Sequence, residues 1–243
     1  MEKQAEYKVS DTRGEGFLPG LAMDFVIFGF HQNQLKILLL EYKNTSLFAL
    51  PGGFVRINED LNEAARRTLA ERTGLHDIYL EQFYTFGDLG RYDPEPMRAI
   101  MQGKGLTPTD DHWLLRRFVT VGYYALLDFT KASPIPDALA DHCEWWELSS
   151  LPTLMQDHRY IVEKALDTLR ANLDRMLGLA SLLPETFTMG ELQSLYETIL
   201  GQKLHRSGFQ RKMLSLDVLE RIEKKYSGGA HKAPYLYRFQ TGA

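Results

Sequence analysis

The chain alternates between apolar runs of strand character and runs of helical period. Residues 23–30 (MDFVIFGF) and 35–42 (LKILLLEY) flank the polar turn 31–34 and read as two strands. Residues 48–54 form a third. Residues 60–73 place Leu61, Ala64, Ala65 and Leu69 along one helical stripe, and Gly74 suits the left-handed residue that stops a helix. Runs 78–86 (IYLEQFYTF) and 118–127 (FVTVGYYALL) are aromatic and β-branched, so both read as strands, and 144–148 (EWWEL) as a short one. Residues 155–177 predict a long helix, with Ile161, Ala165, Leu166, Leu169, Leu173 and Leu177 near the helical period. This alternation through the first 180 residues argues for layered α/β packing.

The pattern fails between residues 90 and 117 (GRYDPEPMRAIMQGKGLTPTDDHWLLRR). Its prolines, glycines and charges argue against strands. Connections longer than about 15 residues are uncommon in compact domains. A flexible excursion, acting as a lid over a pocket, is the expectation here.

Beyond Leu182 the character changes. Thr188-Met-Gly-Glu191 is a capping box that opens a helix through Leu200, and Gly201 stands at its stop. A second helix follows over 206–214. Then come a strand-like run at 218–226, a bend at Ser227-Gly228-Gly229 and a two-residue alternation at 235–240 (YLYRFQ). Two helices and a hairpin describe a winged helix-turn-helix, provided a third helix is supplied from upstream of Pro184. Arg206, Ser207, Gln210, Arg211 and Lys212 give the second helix the polar, basic character of a helix that reads major-groove edges and phosphates. His231 and Lys232 in the wing bend are candidates for a neighbouring backbone. The chain thus divides at 1–180 and 181–243.

Charge supports that division. From residue 201 onward there are nine Lys and Arg against three acids, a net +6, which leaves −10 for residues 1–200. An acidic body with a basic end points to a polyanionic partner, and joined to the winged helix-turn-helix pattern that partner is expected to be double-stranded DNA. Hydrophobic content of 44% is that of an ordinary globular chain. The lone Cys143 excludes an intramolecular disulfide, and beside Trp145 and Trp146 it reads as a buried apolar thiol. The polar opening MEKQAEYKVSD is not a secretion signal. No apolar run approaches the roughly 18 residues of a membrane span, so a cytoplasmic location is expected.

Candidate chemistry lies at 52–75 (GGFVRINEDLNEAARRTLAERTGL). This stretch resembles the Nudix box, G-x5-E-x7-R-E-U-x-E-E-x-G-U with U apolar. Gly53, Glu59, Arg67, Leu69, Glu71, Gly74 and Leu75 fall in register, while Thr68 and Arg72 stand where the family carries glutamates. Positions 68, 71 and 72 share one helical face. In active members three glutamates there hold Mg²⁺. A guanidinium about 4 Å from such a site opposes each unit of cation charge by roughly 4 kcal/mol at an effective dielectric near 20. Neither a bound metal nor a cofactor is therefore expected. The alternative is an active hydrolase of a nucleoside diphosphate derivative such as ADP-ribose.

The tandem order carries a more specific resemblance. The phrases 48–55 (FALPGGFV), 69–75 (LAERTGL), 79–83 (YLEQF), 183–196 (LPETFTMGELQSLY), 209–213 (FQRKM) and 235–239 (YLYRF) are similar to those of the Nudix-related transcriptional regulators. That family includes the NrtR-like repressors of NAD metabolism and the AraR-like sugar-responsive regulators of Bacteroidetes. The phrases at 78–82 and 50–54 lean toward the latter. The resemblance implies a Nudix-type α/β/α sandwich with a C-terminal winged helix-turn-helix. It also implies a homodimer, and a small effector that is an ADP-ribose-like nucleotide or a pentose. Around the box and at the ends of the insertion, Phe54, Arg56, Glu59, Glu71, Arg91 and Arg117 are the candidates to bind it. The long 90–117 segment departs from the family pattern.

Overall fold

A computed structural model describes residues 13–175, 179–225 and 233–240. The N-terminal part is built on β1 (Phe17–His31), β2 (Gln34–Tyr42), β3 (Leu47–Ala49), β4 (Gly52–Arg56), β5 (Tyr79–Phe86), β6 (Val119–Leu127) and β7 (His142–Glu147). They form one sheet in the order β3-β2-β1-β6-β5, with β4 paired to β1 and β7 to β2. β1 runs parallel to β6, Met23 opposite Val121, whereas β2 and β4 pair with β1 antiparallel. Phe25, Val26, Ile27 and Phe28 are all fully buried. Both faces of the sheet are therefore covered, which is why 23–30 is continuously apolar instead of alternating.

Helix α1 (Leu61–Thr73) covers one face. Asp60 and Glu63 form a reciprocal capping box at its start, and Gly74 ends it at φ +69 with its amide on the Ala70 carbonyl. Ala64 and Ala65 bring it close to a core of Met23, Phe25, Ile27, Leu38, Val55 and Tyr123. The other face carries α3 (His158–Asn172), whose Ile161, Ala165 and Leu169 pack on Val26, Phe28, Ile37 and Leu126. α3 passes into a 3₁₀ turn at Leu173–Arg175.

The 90–117 segment is not a flexible excursion. It contains α2 (Glu95–Gly103), flanked by 3₁₀ turns at Leu89–Arg91 and Trp113–Leu115. Ile100, Met101, Trp113, Leu114 and Leu115 are buried in a third core with Leu40, Tyr42, Ala49 and Met155. The prolines that argued for a loop mark the helix start: Pro94 is its N-cap and Pro96 sits in its first turn, where a missing amide costs nothing.

The C-terminal part contains β8 (Phe187–Thr188), α4 (Met189–Leu200), α5 (Arg206–Ser215), β9 (Leu219–Lys224) and β10 (Tyr235–Phe239), with strand order β8-β10-β9. The capping box at Thr188 and Glu191 and the left-handed Gly201 bound α4 as expected. Among the described residues between α3 and Pro184, the helical structure is a 3₁₀ turn at Leu173–Arg175 and another at Leu179–Leu182, with Leu179 and Leu182 buried. Leu192, Leu195, Ile199, Phe209 and Met213 continue the same core that α3 builds on the sheet. The Tyr196 hydroxyl donates to the Leu173 carbonyl at 2.8 Å and ties α4 to the end of α3. Among the described residues no helix is long and apolar enough to cross a membrane.

Candidate ligand pocket and nucleic-acid interface

In the box, Arg67 joins the loop to the helix. Its Nε donates to Glu59 Oε2 at 2.9 Å and its Nη2 to the Phe54 carbonyl at 3.0 Å. The same guanidinium reaches Glu71 at 3.2 Å. Glu59 also accepts the Arg56 amide at 2.8 Å. Burial alone would raise the Glu59 pKa, but the hydrogen bonds and charges of Arg67 and Arg56 overcome it and hold the carboxyl below its ordinary value. These contacts make Glu59 and Arg67 a loop-to-helix clamp.

The three positions that share a helical face diverge at their side-chain ends. Thr68 is buried against Gly53, where an added Cβ would lie 2.7 Å from the threonine hydroxyl. Glu71 faces Arg67 and, at 3.9 Å, Arg56. Arg72 is buried rather than presented to the ligand side, with Nη1 3.4 Å from the Pro136 carbonyl. The Mg²⁺ that this fold implies wants several hard oxygens. One carboxylate already paired with two guanidiniums does not fit it.

A cavity of about 140 Å³ opens between β1, β4, α2 and the start of α3. Of the predicted effector residues Phe54 and Arg91 line it; Arg56, Glu59 and Glu71 are not among its lining residues, and Arg117 donates instead to the Gly87 carbonyl. Phe54 packs edge-on to Trp113 at 4.6 Å, so the buried insertion sets one wall. Arg91 is held by Asp157 at 2.9 and 3.0 Å, donates to the Phe118 carbonyl at 2.9 Å and lies 3.8 Å from Asp24. Gln156, before Asp157, takes a left-handed φ of +48, a local strain of the kind that accumulates around ligand sites.

Sequence reasoning missed Asp24, Thr120 and His158, all on this cavity. Asp24 left a signal, a lone carboxylate inside the apolar run 23–30. His158 follows the predicted helix start closely, but only the fold turns it inward. Thr120 left none.

On the C-terminal part Arg206, Ser207, Gln210, Arg211 and Lys212 are all exposed, while Phe209 and Met213 face the core. The 100° helical step groups Ser207, Gln210 and Arg211 on the side away from that core. Lys212 lies off it and pairs with Asp174 at 2.6 Å. His231 and Lys232 fall outside the described residues. In the wing, Arg221 lies 4.6 Å over the Tyr235 ring, with Lys224 nearby at 5.5 Å. Cys143, in β7, is partly buried, and burial pushes its thiol pKa up to about 12.

Comparison with known proteins bears on both halves. A model of the NUDIX domain matches residues 19–165, and a model of the NrtR DNA-binding winged helix domain matches residues 179–239. The chain is 35% identical over 243 residues to an ADPR responsive transcriptional repressor, NtrR, of Acinetobacter baylyi, covering 97% of this chain and 86% of that protein. It is 43% identical over 148 residues to an ADP-ribose pyrophosphatase of Methanocaldococcus jannaschii, covering 60% of this chain and 72% of that one. Shewanella oneidensis NrtR, solved with a 27mer DNA, superposes with a TM-score of 0.67 at 29% identity, over 90% of this chain and 93% of that one. These two regulators stand on the NrtR side of the resemblance, not the pentose side toward which two phrases leaned. With both domains matched in tandem, the chain belongs to the NrtR family of Nudix-related transcriptional regulators.

Proposed function

We propose that this protein is a DNA-binding transcriptional repressor whose Nudix domain senses ADP-ribose and, as a homodimer, releases its operator when the effector binds. One observation carries the reading: a single chain, 35% identical over 243 residues to an ADPR responsive repressor, joins a Nudix-fold pocket lacking two metal carboxylates to an exposed basic helix. Ser207 and Gln210 contact base edges and Arg206 and Arg211 contact phosphates, with His231 and Lys232 as further candidates. Phe54 and Arg91 contact the effector from the cavity, and Arg56, Glu59 and Glu71 bound its box side. Arg117 has the weakest place in this set, because its side chain points to Gly87. Effector binding has to favour one protein state over the other, since equal affinity for both shifts nothing.

The test is a gel shift on DNA upstream of the gene, with ADP-ribose, NAD, ribose and arabinose added singly. Loss of the shifted band with ADP-ribose alone is the expected result. Release by a pentose, or by nothing, would refute the effector assignment. The 43% identity to an ADP-ribose pyrophosphatase favours a second reading, hydrolysis of ADP-ribose. It requires Mg²⁺-dependent product release that disappears in Glu71→Gln.

A further inference from the structure

Three polar ties join the end of α3 to the winged helix. The Tyr196 hydroxyl donates to the Leu173 carbonyl at 2.8 Å, and Arg170 Nε donates to the Ile199 carbonyl at 3.0 Å. The third is the Lys212 ammonium, 2.6 Å from Asp174 Oδ1 in the 3₁₀ turn Leu173–Arg175. The first two end on backbone carbonyls, groups that no DNA would seek. The third ends on a cation of the basic helix itself. Asp174 and Lys212 both line a cleft of about 440 Å³ between the end of α3 and α5, with Leu173, Tyr196, Leu204 and Phe209 among its walls. Each of the two charged side chains is 51% exposed. The pair therefore spans an open cleft and can part without disturbing the packed core.

Lys212 is the exception among the cations of α5. Among the described residues neither Arg206 nor Arg211 forms an ion pair with a carboxylate. The acidic body of the protein thus touches the basic helix at one cation, through Asp174. A lysine ammonium is a compact charge on a flexible four-carbon stem, so it can swing between acceptors within its reach. A carboxylate and a phosphate oxygen offer it the same charge-assisted hydrogen bond. The two acceptors lie in different directions. Lys212 stands about 100° around the helix from Arg211, and Asp174 draws it away from the face of Ser207, Gln210 and Arg211. An ammonium held there is withheld from a duplex lying against that face.

Resting on the DNA-binding reading above, we infer that Asp174 is a built-in competitor of DNA phosphate, an autoinhibitory contact that holds Lys212 back from the duplex. Its release adds one phosphate contact. Phosphates carry no sequence information, so the contact weakens binding to operator and to unrelated duplex by the same factor. Exposed ion pairs are individually weak, and the factor is accordingly small, about two- to fivefold.

A double-mutant cycle read by fluorescence anisotropy tests this. The full chain and its Asp174→Asn, Lys212→Ala and doubly substituted forms are titrated with the DNA upstream of the gene and with a scrambled duplex of equal length. Asp174→Asn is expected to bind both duplexes about two- to fivefold tighter, and to lose that gain entirely when Lys212→Ala is added. Asp174→Glu keeps a carboxylate at the cleft and should retain the unsubstituted affinity. Asp167→Asn removes the same charge two turns earlier on α3 and should change affinity by less than about 1.5-fold, because exposed charges at that range are screened. No gain in Asp174→Asn, a gain that survives Lys212→Ala, or an equal gain in Asp167→Asn would overturn the inference; the last two would reduce Asp174 to a share of the overall negative charge. If the unsubstituted protein binds neither duplex, the DNA-binding reading fails, and the contact is read on heparin instead. There Asp174→Asn should elute at higher salt than the unsubstituted chain while Lys212 is present, and equal elution would overturn the autoinhibitory contact as well.

Discussion

Replacing Arg67 by leucine removes the residue that ties the box together. Its guanidinium holds Glu59 and the Phe54 carbonyl, and the two charged side chains are only 16% and 12% exposed. Removing one partner of a fully buried pair costs about 3–5 kcal/mol, and the residual exposure here screens that to roughly 2. The orphaned Phe54 carbonyl adds about 1 kcal/mol. A total near 3 kcal/mol corresponds to roughly 6–12 °C in melting temperature for a domain of this size. The pH dependence follows from the depressed Glu59 pKa. A carboxyl held below its unfolded value of 4.5 contributes stability above that pH and loses it as pH falls through the folded pKa. The gap between wild type and Arg67→Leu should therefore be full at pH 7 and shrink below pH 4.5, as read by thermal melts across that range. A shift under about 2 °C at pH 7, or a gap that does not close in acid, would refute the clamp.

Other consequences can be checked independently. Arg211→Ala should lower operator affinity and reduce the salt slope by about one, in anisotropy titrations at several salt concentrations, because one phosphate contact is lost. Lys212→Ala should cost less, since Asp174 already holds that ammonium, and Asp174→Asn should raise operator affinity by freeing it. Ile100→Ala should destabilise by about 2–5 kcal/mol in urea melts, as for any buried core position, and a flexible lid would give almost nothing. Cys143, with its thiol pushed up to about 12, should resist iodoacetamide at pH 8 in the native protein and react once denatured.

Where sequence reading succeeded, the signal was local. The strands of 23–42, the caps at Thr188 and Gly201 and the stop at Gly74 each follow from residue type and spacing, and the structure shows them as expected. The insertion failed because proline serves two purposes. At Pro94 and Pro96 it opens a helix, and the apolar spacing of Met97, Ile100 and Met101 was the better signal. The box taught a similar lesson. Helical spacing places 68, 71 and 72 on one face, but the partners Gly53 and Pro136, which draw Thr68 and Arg72 apart, come from distant segments. The cavity floor was the least legible part. Asp24, Thr120 and His158 lie on three separate elements, and only the parallel β1–β6 pairing and the packing of α3 bring them together.

The proposed coupling between effector and operator is the central claim, and linkage makes it measurable from either side. The decisive measurement is the ADP-ribose dissociation constant of the full chain with and without saturating operator duplex. The account predicts that operator weakens ADP-ribose binding by the same factor by which ADP-ribose weakens operator binding. An ADP-ribose affinity that operator DNA leaves unchanged would contradict it.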